Sequence, residues 1–250
     1  MTTVKDIYAH LDALGPFAAQ MDFDNSGLLV GDAETAVSTV MLALDVTEEI
    51  IEQAAAQGAE LILAHHPVIF KARKNLLAGD PAYALARRGV ACIAWHTPLD
   101  AAPGGVNDLL AQALALWNVA ALPPCARMGI LKPPVRAAEL ARTIAQRLHA
   151  PVRWCDAGKI IEKAAVCGGS GAFLLPELRA LGVDALVTGD AGHHDFIDAR
   201  RMGLSLFAAG HYETEHPVIP ALAERLRAAF PALKFIIAEE PCPVKSIPAP

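Results

Sequence analysis

The sequence predicts an α/β fold, on three observations. Short apolar runs of strand length recur at 39–44, 61–64, 90–94, 185–188, 204–209 and 234–238, with helix-spaced stretches between them. Capping residues and glycines punctuate those stretches. Histidines and carboxylates stand at the carboxyl ends of several runs, which is where open α/β sheets bind ligands.

Composition sets the outer bounds. With 250 residues, 54% of them hydrophobic, and a mean hydropathy of +0.34, the chain can bury a sizeable core as one large or two small domains. No apolar run reaches the roughly 18 residues of a spanning helix. The N-terminus lacks a basic segment followed by an apolar one, so neither membrane nor export is indicated and a cytoplasmic setting is expected. Cys92, Cys125, Cys155, Cys167 and Cys242 are odd in number and never spaced C-x-x-C, which fits reduced thiols better than a disulfide framework or zinc knuckle. A formal charge of −6 and a pI near 5.8 argue against nucleic acid as the main partner.

Residues 3–14 set Val4, Ile7, Tyr8, Leu11 and Leu14 at helical spacing behind Thr3, an N-cap type, so an amphipathic helix opens the chain. DNSGLLVGD at 24–32 reads as a loop entering a short strand, with Asp24 and Asn25 as turn residues and a site-lining role as the lesser alternative. After the strand at 39–44, Asp45-x-x-Glu48 supplies a capping-box-like start for a helix through Gln57, closed by Gly58. On that reading Asp45 needs no chemical role. The next strand completes a β-α-β unit with a right-handed parallel crossover and delivers His65 and His66 to its carboxyl end. Adjacent side chains on a strand face opposite ways, so both imidazoles serve one site only if the backbone turns or the site is wide. Two neighbouring metal ions, one per histidine, satisfy that geometry. Two half-exposed loop histidines are the plain alternative. The basic cluster Lys71, Arg73 and Lys74 then reads as a solvated loop or as a contact for an anionic substrate.

A helix at 81–88 ends at Gly89, and the strand at 90–94 runs into WHTPLD at 95–100. His96 and Asp100 are the strong metal donors of that turn, and a carboxylate can bridge two cations; an ordinary cap role for Asp100 is the alternative. A glycine turn at 103–105 leads into a helix at 108–116. Residues 122–134 contain PPC and KPP, and proline there is expected to break regular structure. The stretch therefore marks the expected boundary between an N-terminal lobe, 1–122, and a C-terminal lobe, 123–250, whose last segment is free to pack back on the first. A helix at 136–149 precedes a strand at 159–166 that enters CGGSG, 167–171. That turn suits an anion on its backbone amides or close backbone packing, and it lacks a dinucleotide or P-loop fingerprint. TGDAGHHDF at 188–196 offers His193, His194 and Asp195 as a second metal cluster, as helix caps or as solvent-facing groups. GHYETEHP at 210–217 sets His211 and Glu215 four apart, on one side of a helical turn, with Thr214 expected to cap the helix running through Arg227. After the strand at 234–238, the proline-rich tail from Pro241 is expected to be loose.

The strand-end donors are nitrogen and oxygen without thiolate, a set suited to zinc, ferrous iron or manganese. Three histidines and two carboxylates exceed the four ligands of a structural zinc and are few for two cations, which leaves positions for water or substrate. A metal pair of that kind is a hydrolytic device. No Ser-His-Asp or nucleophilic cysteine arrangement stands out.

DNSGLLVG, AHHPVIF, WHTPLD followed by GGVND, CGGSG, VTGDAGHHD and AGHYETE occur in that order. Together they resemble the Nif-three-like family, the type 2 GTP cyclohydrolase I family of YbgI-like dinuclear metal proteins, along nearly the whole chain. The resemblance implies two similar α/β lobes with a dinuclear metal site in the cleft between them, two divalent metal ions per subunit and a toroidal homohexamer. Carried over motif by motif, it implies His65, His66, Asp100, His211 and Glu215 as metal ligands, Asp100 and Glu215 as bridging carboxylates, and His96 in proton transfer. The chain is too short for the inserted domain of some members, and ARMGIL at 126–131 is a weaker match to the family's glycine-arginine turn. As function the resemblance implies a metal-dependent hydrolase in which activated water attacks an electrophilic ring carbon of a guanine nucleotide. Lys71 or Arg73 would meet the phosphates. The competing readings are a non-catalytic hexameric metal chaperone, store or regulatory scaffold, and hydrolysis of an unrelated phosphoester or amide.

Overall fold

Two sheets organise the chain, and the computed structural model describes residues 1–245 of it. The chain divides into two compact units: Met1–Pro103 with Val218–Pro241, and Gly104–Pro217 with the residues from Cys242.

The first unit opens with α1 (Val4–Leu14). Thr3 caps it through a full capping box with Asp6, and Val4, Ile7 and Leu11 are buried as the spacing predicts. β1 (Gly27–Val30) and β2 (Thr39–Ala43) follow, then α2 (Glu48–Ala56), β3 (Leu61–Ala64), α3 (Pro81–Arg88), β4 (Ala91–Ala94) and the short α4 (Thr97–Ala101). The N-cap of α2 is Thr47, whose hydroxyl accepts from the Ile50 amide, not Asp45. The segment carrying His96 and Asp100, read as a turn, is a helix with His96 as its N-cap residue.

The second unit holds α5 (Val106–Ala113), β5 (Trp117–Leu122), β6 (Ala126–Arg136), α6 (Ala137–Leu148), β7 (Arg153–Cys155), β8 (Ile160–Cys167), α7 (Leu175–Ala180), β9 (Ala185–Thr188), α8 (His193–Met202), β10 (Ser205–Ala208) and α9 (His211–Glu215). The proline-containing stretch 122–134 is the turn and second strand of the β5–β6 hairpin, inside this unit, so the expected 122/123 boundary falls at a hairpin turn. Proline cannot donate to a ladder. β6 accommodates Pro133 and Pro134 where its pairing with β8 slips register between Ile130 and Val135. β5 and β7, the two edges of this sheet, are strands without an apolar alternation strong enough to read.

The chain then re-enters the first unit as α10 (Val218–Ala229) and β11 (Lys234–Ile237), completing the sheet order β1-β4-β3-β2-β11. β11, β2, β3 and β4 are parallel, and β1 runs antiparallel at the edge. The second sheet has the order β5-β6-β8-β9-β10-β7, with β8, β9 and β10 parallel. Each unit has its own apolar core, one centred on Met41, Ile51, Ile62 and Leu85, the other on Leu140, Ile144, Val187 and Phe207. No helix among the described residues is long and apolar enough to cross a membrane. Residues 241–245 form no helix or strand, and the rest of the tail expected to be loose lies outside the described residues.

Candidate metal centre

In the first unit, parallel register delivers the chemistry to one sheet edge. Ala43, Ala64 and Ala94 are neighbours across β2, β3 and β4, so the residues after them emerge at one level. Those residues include Asp45, His65, His66 and His96. β3 ends at Ala64, and the chain turns there, so the adjacent histidines escape strand alternation. Their ring centroids are 4.9 Å apart, and the imidazoles of His65, His66 and His96 bring one ring nitrogen each within 4.8 Å of one another. Asp100, on the first turns of α4, is buried with Oδ1 3.6 Å from His65 Nε2.

Each imidazole is oriented through Nδ1. His65 Nδ1 donates to the Trp95 carbonyl at 3.2 Å, which requires the hydrogen on Nδ1 because a carbonyl only accepts. His66 Nδ1 donates to Asp45 at 2.8 Å, and His96 Nδ1 to Asp24 at 2.8 Å. An imidazole held that way presents the Nε2 lone pair, the arrangement found behind metal-ligating histidines. Asp45 is itself fixed from below, because the Glu240 carboxylate accepts from the Leu44 and Asp45 amides at 2.7 Å each. Burial raises the Glu240 carboxyl, with those amides opposing it.

Asp24 is the most heavily bonded of these groups. Its side chain is fully buried and also accepts from Ser26 Oγ at 2.9 Å, from Thr97 Oγ1 at 2.5 Å and from the Thr97 and Asn25 amides at 3.1 and 2.6 Å. Burial alone would raise its pKa, but the hydrogen bonds from His96, Thr97 and Ser26 outweigh that and hold the carboxyl well below the usual carboxylate range.

The second unit repeats the device. Cys167, Thr188 and Ala208 are register neighbours at the ends of β8, β9 and β10, and His211 opens α9 just beyond. His211 Nδ1 meets Asp190, which follows β9, at 2.6 Å, and His211 Nε2 lies 3.1 Å from Glu215, one helical turn on and buried. The glycine turn after β8 packs against this pair: a Cβ on Gly169, whose φ is +61°, would sit 2.3 Å from Glu215 Oε1 and 3.2 Å from His211 Nε2. Close packing is therefore what the CGGSG glycines serve. Thr214 does not cap α10; its hydroxyl turns back to the Gly210 and His211 carbonyls and accepts from the Gly169 amide at 3.2 Å.

In the first unit the structure thus gathers His65, His66, His96 and Asp100, and in the second it pairs His211 with Glu215. His193 and His194 are exposed on the first turn of α8, where Asp195 accepts from the Gly192 amide, so they form no comparable cluster. Arg73 is committed to Asp80 and to the Val68 carbonyl at 3.1 Å, leaving Lys71 and Lys74 as the exposed cations of that loop. Asp45 and Asp190 are not legible as functional groups in the sequence, and Asp24 only as the lesser of two readings. Turn and cap roles explain Asp24 and Asp45, and only the order of neighbouring strands pairs each with a histidine.

A family model described as Duf34/NIF3 (NGG1p interacting factor 3) matches residues 2–243. A GTP cyclohydrolase 1 type 2 homolog of Clostridium perfringens is 31% identical over 252 aligned residues, covering 95% of this chain and 96% of its own. One of the same name from Escherichia coli is 32% identical over 215 residues, 84% and 87% of the two chains. Among solved structures, the Staphylococcus aureus hypothetical protein SA1388 superposes with a TM-score of 0.90 at 27% identity, covering 98% of this chain and 99% of its own. Protein ybgI does so with a TM-score of 0.88 at 29% identity, over 97% and 100%. With a model that matches nearly end to end and relatives alike in sequence and fold, the chain belongs to the Duf34/NIF3 (NGG1p interacting factor 3) family.

Proposed function

We propose that the protein is a metal-dependent hydrolase of the cytoplasm in which His65, His66, Asp100, His211 and Glu215 would hold a pair of divalent cations. The observation that carries this reading is the orientation of the imidazoles: His65, His66 and His211 each have Nδ1 engaged by a carbonyl or carboxylate, which directs Nε2 to ligand duty. The nitrogen and oxygen donor set fits zinc, ferrous iron or manganese. When bound, such ions would supply Lewis-acid polarisation and a water acidified towards neutral pH.

The chain's own residues do the rest. His96 carries a proton at Nε2, its ring held through Nδ1 by the buried Asp24 carboxylate, which also stabilises the imidazolium that forms when the proton is taken up. Relatives named GTP cyclohydrolase 1 type 2 homolog favour a guanine nucleotide as substrate. One water would add to an electrophilic ring carbon, with one carbon–nitrogen bond breaking as His96 protonates the departing nitrogen, and a second water would break the other carbon–nitrogen bond and release that carbon as formate. Lys71 and Lys74 stand near in sequence for the phosphates. The same ligands would serve a hexameric metal chaperone, store or scaffold equally well, so turnover must be measured beside metal content.

The test is elemental analysis of purified protein and of Asp100→Ala and Glu215→Ala, followed by incubation of metal-loaded protein with GTP and assay of formate. Two ions per chain, a reduced content in both variants and formate release are expected. Protein without divalent ion, with uptake unchanged in both variants, overturns the ligand assignment. Full loading without formate removes the guanine nucleotide as substrate and leaves hydrolysis of an unrelated phosphoester or amide, or the chaperone or scaffold.

A further inference from the structure

Two aromatic side chains beside His96 have no part in the chemistry so far. Phe23, in the loop before β1, and Phe70, in the segment after His66, remain 55% and 42% exposed. Their ring centroids are 6.1 Å apart at an interplanar angle of 45°. Each also stands edge-on to the His96 imidazole, at 6.5 and 6.2 Å with interplanar angles of 71° and 73°. The three rings form a corner in the first unit, at the sheet edge that carries His65 and His66.

Folding alone does not favour this arrangement, because an exposed phenylalanine ring forgoes most of the gain of burial. The exposed pair is nonetheless held in place. Asp24, next to Phe23, is tied to Ser26, His96 and Thr97, and the Asn25 side-chain amide donates to the Ile69 carbonyl at 2.5 Å, fastening the loop of Phe23 to the residue before Phe70. An ordered π-surface at the proton-carrying histidine is matched by a flat ring with a π-face of its own. An aliphatic ligand would gain only buried area there.

We propose that Phe23 and Phe70 are the binding surface for a planar aromatic heterocycle, the ring of the substrate: because the two rings are inclined at 45°, one stacks on its face while the other meets its edge, beside His96. This deepens the hydrolase reading and rests on it: the ring lies where His96 delivers or removes its proton. Both phenylalanines are specificity-determining, not metal-binding, groups.

The probes are guanosine, which carries the ring without phosphate, and inorganic tripolyphosphate, which carries phosphate without the ring. Each is titrated calorimetrically into metal-loaded wild type and into Phe23→Ala, Phe70→Ala, Phe23→Leu and Phe23→Tyr, with metal content measured on every sample. Guanosine affinity should fall about tenfold in both alanine variants and in Phe23→Leu, and stay near wild type in Phe23→Tyr, as base–aromatic stacking dictates. Tripolyphosphate affinity and metal content should not change. Phe23→Tyr and Phe23→Leu keep the comparison informative should an alanine variant fold poorly.

The proposal is overturned if wild type does not bind guanosine, if all variants bind it alike, or if the substitutions alter only the oligomeric state, which would make the ring pair a contact between copies. Ring-dependent guanosine binding without turnover would remove the guanine nucleotide as substrate and keep this surface. Turnover with KM unchanged in Phe23→Ala and Phe70→Ala would do the reverse.

Discussion

Asp24→Asn isolates the group on which the geometry around His96 depends. The carboxylate accepts five hydrogen bonds, those of Asn25 N and His96 Nδ1 at Oδ1 and those of Ser26 Oγ, Thr97 N and Thr97 Oγ1 at Oδ2. Asparagine is isosteric but puts an NH2 in place of one oxygen. In one orientation that NH2 opposes the Thr97 amide, and in the other it opposes the Asn25 amide. Hydroxyls can rotate to accept, but a backbone N–H cannot, so one amide is left facing a donor in either case. An unsatisfied buried donor costs about 1–3 kcal/mol, and trading charge-assisted bonds for neutral ones costs roughly 1 kcal/mol more. The sum is about 2–4 kcal/mol, or roughly 5–15 °C in Tm for a chain of this size.

The pH dependence carries a sign. A carboxyl depressed in the folded state contributes stability that is fully present above its unfolded value near 3.9 and is lost as pH falls through the folded value. Asparagine has no such proton. The Tm gap between wild type and Asp24→Asn, read by circular dichroism, should therefore be present at neutral pH and shrink below about pH 4, where the carboxylate starts to be lost. Equal melting at neutral pH, or a gap that fails to shrink below about pH 4, would refute the reasoning.

Two further outcomes follow from the same geometry. Asp45→Ala and Asp190→Ala remove the acceptors behind His66 and His211, and each should weaken metal affinity about 10–100-fold in competition with a chromophoric chelator while leaving the fold intact by circular dichroism. Gly169→Ala places a methyl 2.3 Å from Glu215 Oε1 at a φ of +61°. The left-handed backbone adds about 1–2 kcal/mol and the overpacking about 1–3, so Tm should fall and metal content with it, whereas a variant that melts and loads like wild type would remove the packing account of the turn.

Much of this was legible in the sequence because local physics decides it. Thr3 before Val4 and Gly89 after Arg88 delimit helices through groups close in sequence, and the apolar runs at 39–44, 61–64 and 185–188 are strands with little error. The illegible parts depend on neighbours distant in sequence. Asp45 looked like a helix cap, and only the pairing of β2 with β3 shows it facing His66. Asp24 reads first as a turn former, and its bonds with Asn25 and Ser26 fit that, yet its partners His96 and Thr97 lie more than 70 residues away. Glu240 gave no signal, because its contact with Leu44 and Asp45 exists only once β11 has paired with β2. The hairpin strand β6 was hidden by its prolines, which a register slip accommodates and composition cannot reveal.

The recurrence of one arrangement in both sheets bears on how rigid the candidate centre is. His66 follows β3 and is oriented by Asp45, which follows the adjacent β2; His211 follows β10 and is oriented by Asp190, which follows the adjacent β9. In each case histidine and aspartate start from neighbouring parallel strands, whose spacing of about 4.8 Å is fixed by the hydrogen-bond ladder. The Nδ1–carboxylate distance is therefore set mainly by strand pairing and only secondarily by the loops. A ligand oriented in this way has little freedom to lose on binding, and its position survives changes in the connecting loops provided the register survives. The burial of β2, β3, β9 and β10 on both faces protects that register, since a one-residue slip would exchange every side chain of the strand between two differently packed layers. The apolar runs that make the fold readable are thus also what fixes the histidines, and substitutions in Leu63 or Val187 should disturb the centre through the sheet without touching a ligand.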